Sequence, residues 1–153
     1  MTTIKVLPSF FREGDIVLEP FDPIDEVPGL ELFTISEGGG EVGVASLGPT
    51  RASEGTVRLF VCGNDIVGPY TGFEQVATRI LLKYAFDVLS FGRVITGACD
   101  YEVELVACAT ANGLTVHGVR EVQSPDRERP HLVYHFVITR DQWCNISNEP
   151  TRR

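Results

Sequence analysis

The stretch "TGFEQVATRILLKYAFDVLSFG", beginning at Thr71, constrains the fold more than any other part of the chain. Phe73, Val76, Ala77, Ile80, Leu81, Tyr84 and Val88 recur at intervals of three and four, which lines one face of a helix. Thr71 and Glu74 have capping-box spacing, and Gly92 is placed to end the helix. The spacing predicts one helix over about 72–91, roughly five turns. Leu82, Phe86 and Leu89 add apolar groups on its flank and back. Such a helix needs cover on more than one side, from its own sheet and loops or from another subunit. These three residues are therefore the predicted contact surface.

Strands are expected around this helix. "TVRLFVC", 56–62, is rich in β-branched and large apolar residues. Shorter strands fit Thr3 to Leu7, Asp15 to Leu18, Leu30 to Ile35 and Glu41 to Leu47, and "TISEGGGEVGVA" reads as a hairpin with a glycine-rich loop. Beyond the helix, "DYEVELVACAT" alternates like a strand and leads to Asn112-Gly113, a two-residue hairpin signal. That turn would set Cys108 opposite His117 and Val106 opposite Val119. In the last strand, 131–139, Leu132, Tyr134, Phe136 and Ile138 match the core face. The expected fold class is α+β: a mostly antiparallel sheet packed on one long helix, with a hairpin at Asn112-Gly113. The whole chain, 1–153, reads as one domain. Residues 1–50 form an acidic, turn-rich arm or edge hairpin, 51–143 the helix-plus-sheet core and 144–153 a tail.

Charge is placed unevenly. Glu13, Asp15, Glu19, Asp22, Asp25, Glu26, Glu31, Glu37 and Glu41 fall in a segment, 13–50, without one Lys or Arg. The chain's net charge is −8, and the acidic set reads as a charged surface. Direct nucleic-acid binding is excluded on this ground, because phosphate contacts need clustered Lys and Arg. The expected partners are a second copy of the chain or a protein with a basic surface. No apolar run approaches a bilayer span, and Met1 to Lys5 lacks the features of a signal peptide. The expected location is cytoplasmic. Cys62, Cys99, Cys108 and Cys144 form no CxxC pair and read as free thiols.

Little in the sequence looks like chemistry. His131 and His135 have a metal-like spacing on a helix, but on a strand they lie roughly 13 Å apart, four rises of about 3.3 Å. They cannot share a zinc ion that bonds nitrogen at about 2.1 Å. The predicted hairpin leaves one other set, Cys108, His117 and His135, on one face of neighbouring strands, where cross-strand side chains lie about 5 Å apart. Its spacing matches no standard metal site, so no metal is expected. Cys62 ends a strand just before the helix, yet no histidine lies near it in sequence. GxSxG, Walker and HExxH motifs are all missing, so the sequence points to no catalytic residue and no cofactor.

The pieces "TVRLFVCG", "GFEQVATRILLKYAFDVL" and "GLTVHGVREVQSPDRERPHLVYHFVITR", spanning about 55–140, together resemble the tail-terminator and neck proteins of tailed bacteriophages. The resemblance implies a non-enzymatic ring component of a phage tail or neck, hence a homo-oligomer and a virion location. Under it, the acidic segment would line a lumen that repels DNA. Two other classes stay open on the residues. One is an acidic inhibitor or immunity-type protein that caps a basic partner. The other is a hot-dog-like thioester enzyme with Glu74 or Asp65 as its base.

Overall fold

The structure, a computed structural model, describes residues 11–21, 29–50, 55–63, 72–123, 125 and 128–147. Among them an eight-stranded mixed sheet runs in the order β1-β2-β3-β4-β5-β6-β8-β7. The strands are β1 (Arg12–Glu13), β2 (Ile16–Phe21), β3 (Glu31–Glu37), β4 (Gly40–Pro49), β5 (Thr56–Gly63), β6 (Arg93–Cys99), β7 (Thr115–Val122) and β8 (His131–Thr139). Every neighbouring pair is antiparallel except β5 and β6. Parallel neighbours need a crossover, and helix α1 (Phe73–Lys83) with the π-helical turn Tyr84–Val88 supplies it. Helix α2 (Val103–Ala111) links β6 to β7, and α3 (Arg140–Ser147) follows β8.

All three helices pack on one face of the sheet. The Thr78 hydroxyl meets the Cys108 thiol at 3.6 Å, and Asn112 Nδ2 donates to Gln75 O at 3.1 Å, joining α2 to α1. The Phe86 and Trp143 rings stack at 5.9 Å, joining α3 to the end of α1. Beneath them the sheet buries Leu18, Phe33, Ile35, Leu47, Val57, Leu59, Val94, Phe136 and Ile138. Alternation sends Phe21, Val44, Arg58 and Phe60 to the opposite face, where they are exposed and where no helix lies among the described residues.

Several expectations change here. The sheet is mixed and carries three helices, so the predicted antiparallel sheet on one long helix over 72–91 is incorrect. Gly72, at φ 92°, is the N-cap of α1, and Thr71 of the expected capping box lies outside the described residues. Residues 103–111 form a helix and not a strand, because Asn112-Gly113 ends that helix instead of turning a hairpin. Gly113, at φ 87°, donates to Thr110 O, and Leu114 N donates to Ala109 O, both at 3.0 Å. That is the Schellman pattern, which needs the same left-handed glycine that a tight hairpin would. Within 12–21 and 31–49, strands β1 to β4 join the sheet from one edge, and part of the expected tail is α3. The expected strand Thr3 to Leu7 lies outside the described residues. The glycine-rich hairpin does form between β3 and β4, with Gly38 and Gly39 at positive φ.

One close approach sets the start of α1. Gly43 and Gly63 face each other across β4 and β5, and the Phe73 ring lies over both. A Cβ at Gly43 would fall 2.4 Å from Cys62 O and 3.1 Å from Phe73 Cε2. Gly43→Ala therefore has to move backbone, not merely a side-chain tip. It is expected to destabilise the protein by ~1–3 kcal/mol in urea unfolding, the usual range for overpacking. A loss within a few tenths of a kcal/mol would mean that Phe73 does not hold this contact.

Candidate functional site

The one parallel pair is also the place where the sheet opens. β5 and β6 are paired only at Thr56↔Arg93, Val57↔Val94 and Arg58↔Ile95, while β5 runs on to Gly63 and β6 to Cys99. Thr96 Oγ1 donates to Leu59 O at 2.8 Å across the first gap, so the Leu59 carbonyl points toward β6. Strand alternation then aims the backbone N–H and C=O of Val61 and Gly63 the same way. Beyond Thr96 no strand among the described residues receives them, and the two carboxyl ends bound a crevice. In open sheets, ligands bind outside such carboxyl ends. Helix α1 starts beside the crevice, because Phe73 sits on Gly63. Its first-turn N–H groups and macrodipole favour a negatively charged group there.

The end of β6 and the start of β8 carry groups able to exchange protons. Cys99 ends β6, and its backbone N–H donates to Glu102 Oε1 at 2.8 Å. Burial pushes the Cys99 thiol above its ordinary range, and the neighbouring Glu102 and Asp100 carboxylates add to that, while a hydrogen bond with Tyr101 works against it. Tyr101 packs edge-on against His131, with ring centroids 5.4 Å apart. His131 is 7% exposed, and among the described residues its Nδ1 has no hydrogen-bond partner.

The residues singled out in the sequence fall elsewhere. Leu82 and Phe86 are fully buried and Leu89 packs against the same core, so α3 and the sheet cover this flank from within the chain. Trp143 stacks on Phe86, and Arg140 donates to the Phe86 and Phe91 carbonyls at 3.0 and 2.9 Å. Cys108 is buried in α2, bonded to Thr78 and Asn112. His117 is exposed at a bulge in β7, and His135 sits on β8 opposite Gly97 and Gly118. Moving Cys108 from a strand to a helix dissolves the Cys108/His117/His135 set, and no metal-holding group of three or more ligands occurs among the described residues. Of the acidic set, Glu13, Asp15, Glu19, Glu37 and Glu41 are exposed, and Glu13 pairs with Arg79. Glu31 is half-buried and accepts a hydrogen bond from Tyr84 Oη at 2.6 Å. Asp22, Asp25 and Glu26 lie outside the described residues, as does Asp65. Glu74 is buried in the first turn of α1. Among the described residues, no helix is long and apolar enough to cross a membrane.

No protein-family model matches this sequence, and no curated protein matches it. Solved structures do. The fold is that of the GNAT-family acetyltransferases. Mutant forms of the spermidine/spermine N-acetyltransferase SpeG from Vibrio cholerae superpose with a TM-score of 0.67 at 15% identity, over 78% of this chain and 72% of that one. The same organism's spermidine N-acetyltransferase in complex with CoA and spermine gives a TM-score of 0.65 at 14% identity, over 77% and 70%. A GNAT-family acetyltransferase from Bacillus anthracis gives 0.62 at 17% identity, over 72% and 66%. At such identities the likeness establishes the fold alone. It overturns the resemblance to phage tail-terminator and neck proteins, and with it the structural, phage and virion reading. Neither the inhibitor reading nor the hot-dog reading is supported: α1 crosses over one face of an open mixed sheet and is not wrapped by an antiparallel one.

The surroundings of Cys99 at the end of β6 give it a measurable signature. With its thiol held above the ordinary range, Cys99 should alkylate more slowly with iodoacetamide at neutral pH than a free cysteine. Its rate should still be climbing at pH 9.0, the ordinary cysteine value, and level off only above it. Mass spectrometry across a pH series resolves it from the other three cysteines. Rapid alkylation at neutral pH would contradict this environment.

Proposed function

We propose that this protein transfers an acyl group from a thioester donor of the acetyl-CoA type to an amine. The observation that carries the reading is the crevice between β5 and β6 within a fold whose compared neighbours are acetyltransferases. An extended donor arm bearing amides can pair with the backbone groups of Val61 and Gly63 as an added strand does. Its phosphate end then lies toward the start of α1. The acceptor amine attacks the thioester carbonyl and loses a proton, while the departing thiolate takes one up. Tyr101, two residues past the end of β6, and His131, which packs against it from the start of β8, are the groups we assign to that proton traffic. An acidic chain, with 21 carboxylates against 13 Lys and Arg, attracts cationic amines. A cytosolic setting fits both a CoA-type donor and four free cysteines.

Calorimetric titration with acetyl-CoA, followed by thiol release with a panel of amines, tests this directly. Saturable binding and amine-dependent thiol release are expected. Tyr101→Phe and His131→Gln should each lower turnover by about a hundredfold and leave acetyl-CoA affinity within about twofold. Absence of acetyl-CoA binding by the folded protein would overturn the reading.

A further inference from the structure

The sheet face opposite the helices holds a hollow of about 420 Å³, within the size range of small-molecule sites. The hollow arises from the sequence pattern of β4 and β5. Register places Gly48 opposite Arg58 and Ser46 opposite Phe60. Gly48 has no side chain, so the floor is low where its neighbours are tall. Leu30 and Pro49 form one wall. A Cβ at Gly48 would stand 3.3 Å from Leu30 Cδ1, and Gly29, at φ 79°, lets the chain press against the Pro49 ring. Arg58 and Phe60 form the other wall, and Phe60 is 55% exposed.

Two features say what would fill it. Among the described residues the lining is apolar apart from the Ser46 and Thr50 hydroxyls and the Arg58 guanidinium, with no carboxylate. In a chain of net charge −8 that local balance runs against the rest of the surface. Arg58 takes part in no ion pair among the described residues. The nearest acid in sequence to the Leu30 wall, Glu31, faces the helices, where it accepts the Tyr84 hydroxyl. An exposed aromatic beside an uncommitted guanidinium suits a ligand with a flat or aliphatic body and an anionic head.

We infer that this hollow binds a small carboxylate carrying an aromatic or aliphatic body, its head on Arg58 and its body against Phe60 and Pro49. The site does not rest on the acyl-transfer reading. It lies on the face away from α1, at the end of β5 where β6 is still paired. The carboxylate accepts the fork of guanidinium N–H groups, and Ser46 lies opposite Phe60 on the floor.

The test uses a charge-reversed pair of equal shape, phenylbutyrate and phenylbutylamine, titrated against the whole chain by calorimetry or NMR. Phenylbutyrate should bind saturably and the amine should not. Arg58→Gln, at an exposed position, should weaken phenylbutyrate by about tenfold with the melting temperature unchanged. Gly48→Val should fill the floor and abolish binding. If that variant fails to fold, Arg58→Gln decides alone. Equal binding of the amine, wild-type affinity in Arg58→Gln, or no saturable binding of phenylbutyrate would each overturn the inference.

Discussion

Three residue pairs, Thr56↔Arg93, Val57↔Val94 and Arg58↔Ile95, join the two halves of the sheet. They are the whole of the parallel pairing in an otherwise antiparallel sheet. Because β5 and β6 run the same way, the chain between them has to travel back along the sheet, and α1 does so with its buried face on the strands. Because the pairing stops at Arg58, the rest of β5 separates from β6 and leaves backbone groups facing a gap. The crossover and the crevice share one cause. Had the pairing continued to Gly63, the helix would remain and the site would vanish.

The contacts around this seam keep it in shape. Thr96 spans the first step of the gap to the Leu59 carbonyl. Phe73, seated on Gly43 and Gly63, fixes where the helix starts relative to the strand end. At the far end Arg140 donates to two carbonyls of the helix terminus and its following turn, and its own N–H donates to Gly92 O at 2.9 Å. A cation there also complements the negative end of the helix dipole. The end of β8 is thus tied to the end of the crossover, and the strand that braces β6 from its other side is held in register.

Local pattern made part of this legible. The strand 56–62, the strand 131–139, the glycine hairpin and the burial of Phe73, Ala77, Ile80 and Leu81 on α1 all follow from periodicity and turn chemistry within a few residues, whereas Val88 of the same expected face is exposed. Helix α2 did not, because "YEVELVACAT" alternates like a strand and Asn-Gly serves a hairpin and a Schellman ending equally well. Its alanines and leucine were the signal that pointed the other way. The flank at Leu82, Phe86 and Leu89 looked unpartnered because its cover, Trp143 on α3, lies more than fifty residues later. The crevice itself had no sequence signature. It depends on how far two strands on either side of a helix stay paired, and no spacing within either strand records that. Tyr101 and His131 were hidden for the same reason, since only the β6–β8 register brings them together.

Acyl transfer at this seam requires that the open part of β5 take a thioester donor. Hydrogen–deuterium exchange with and without acetyl-CoA reads this at the backbone groups concerned. Slower exchange confined to the segment containing Val61 and Gly63 and to the first turn of α1 is the predicted result. Unchanged exchange there at saturating acetyl-CoA, or protection only on the opposite sheet face near Arg58, would contradict it.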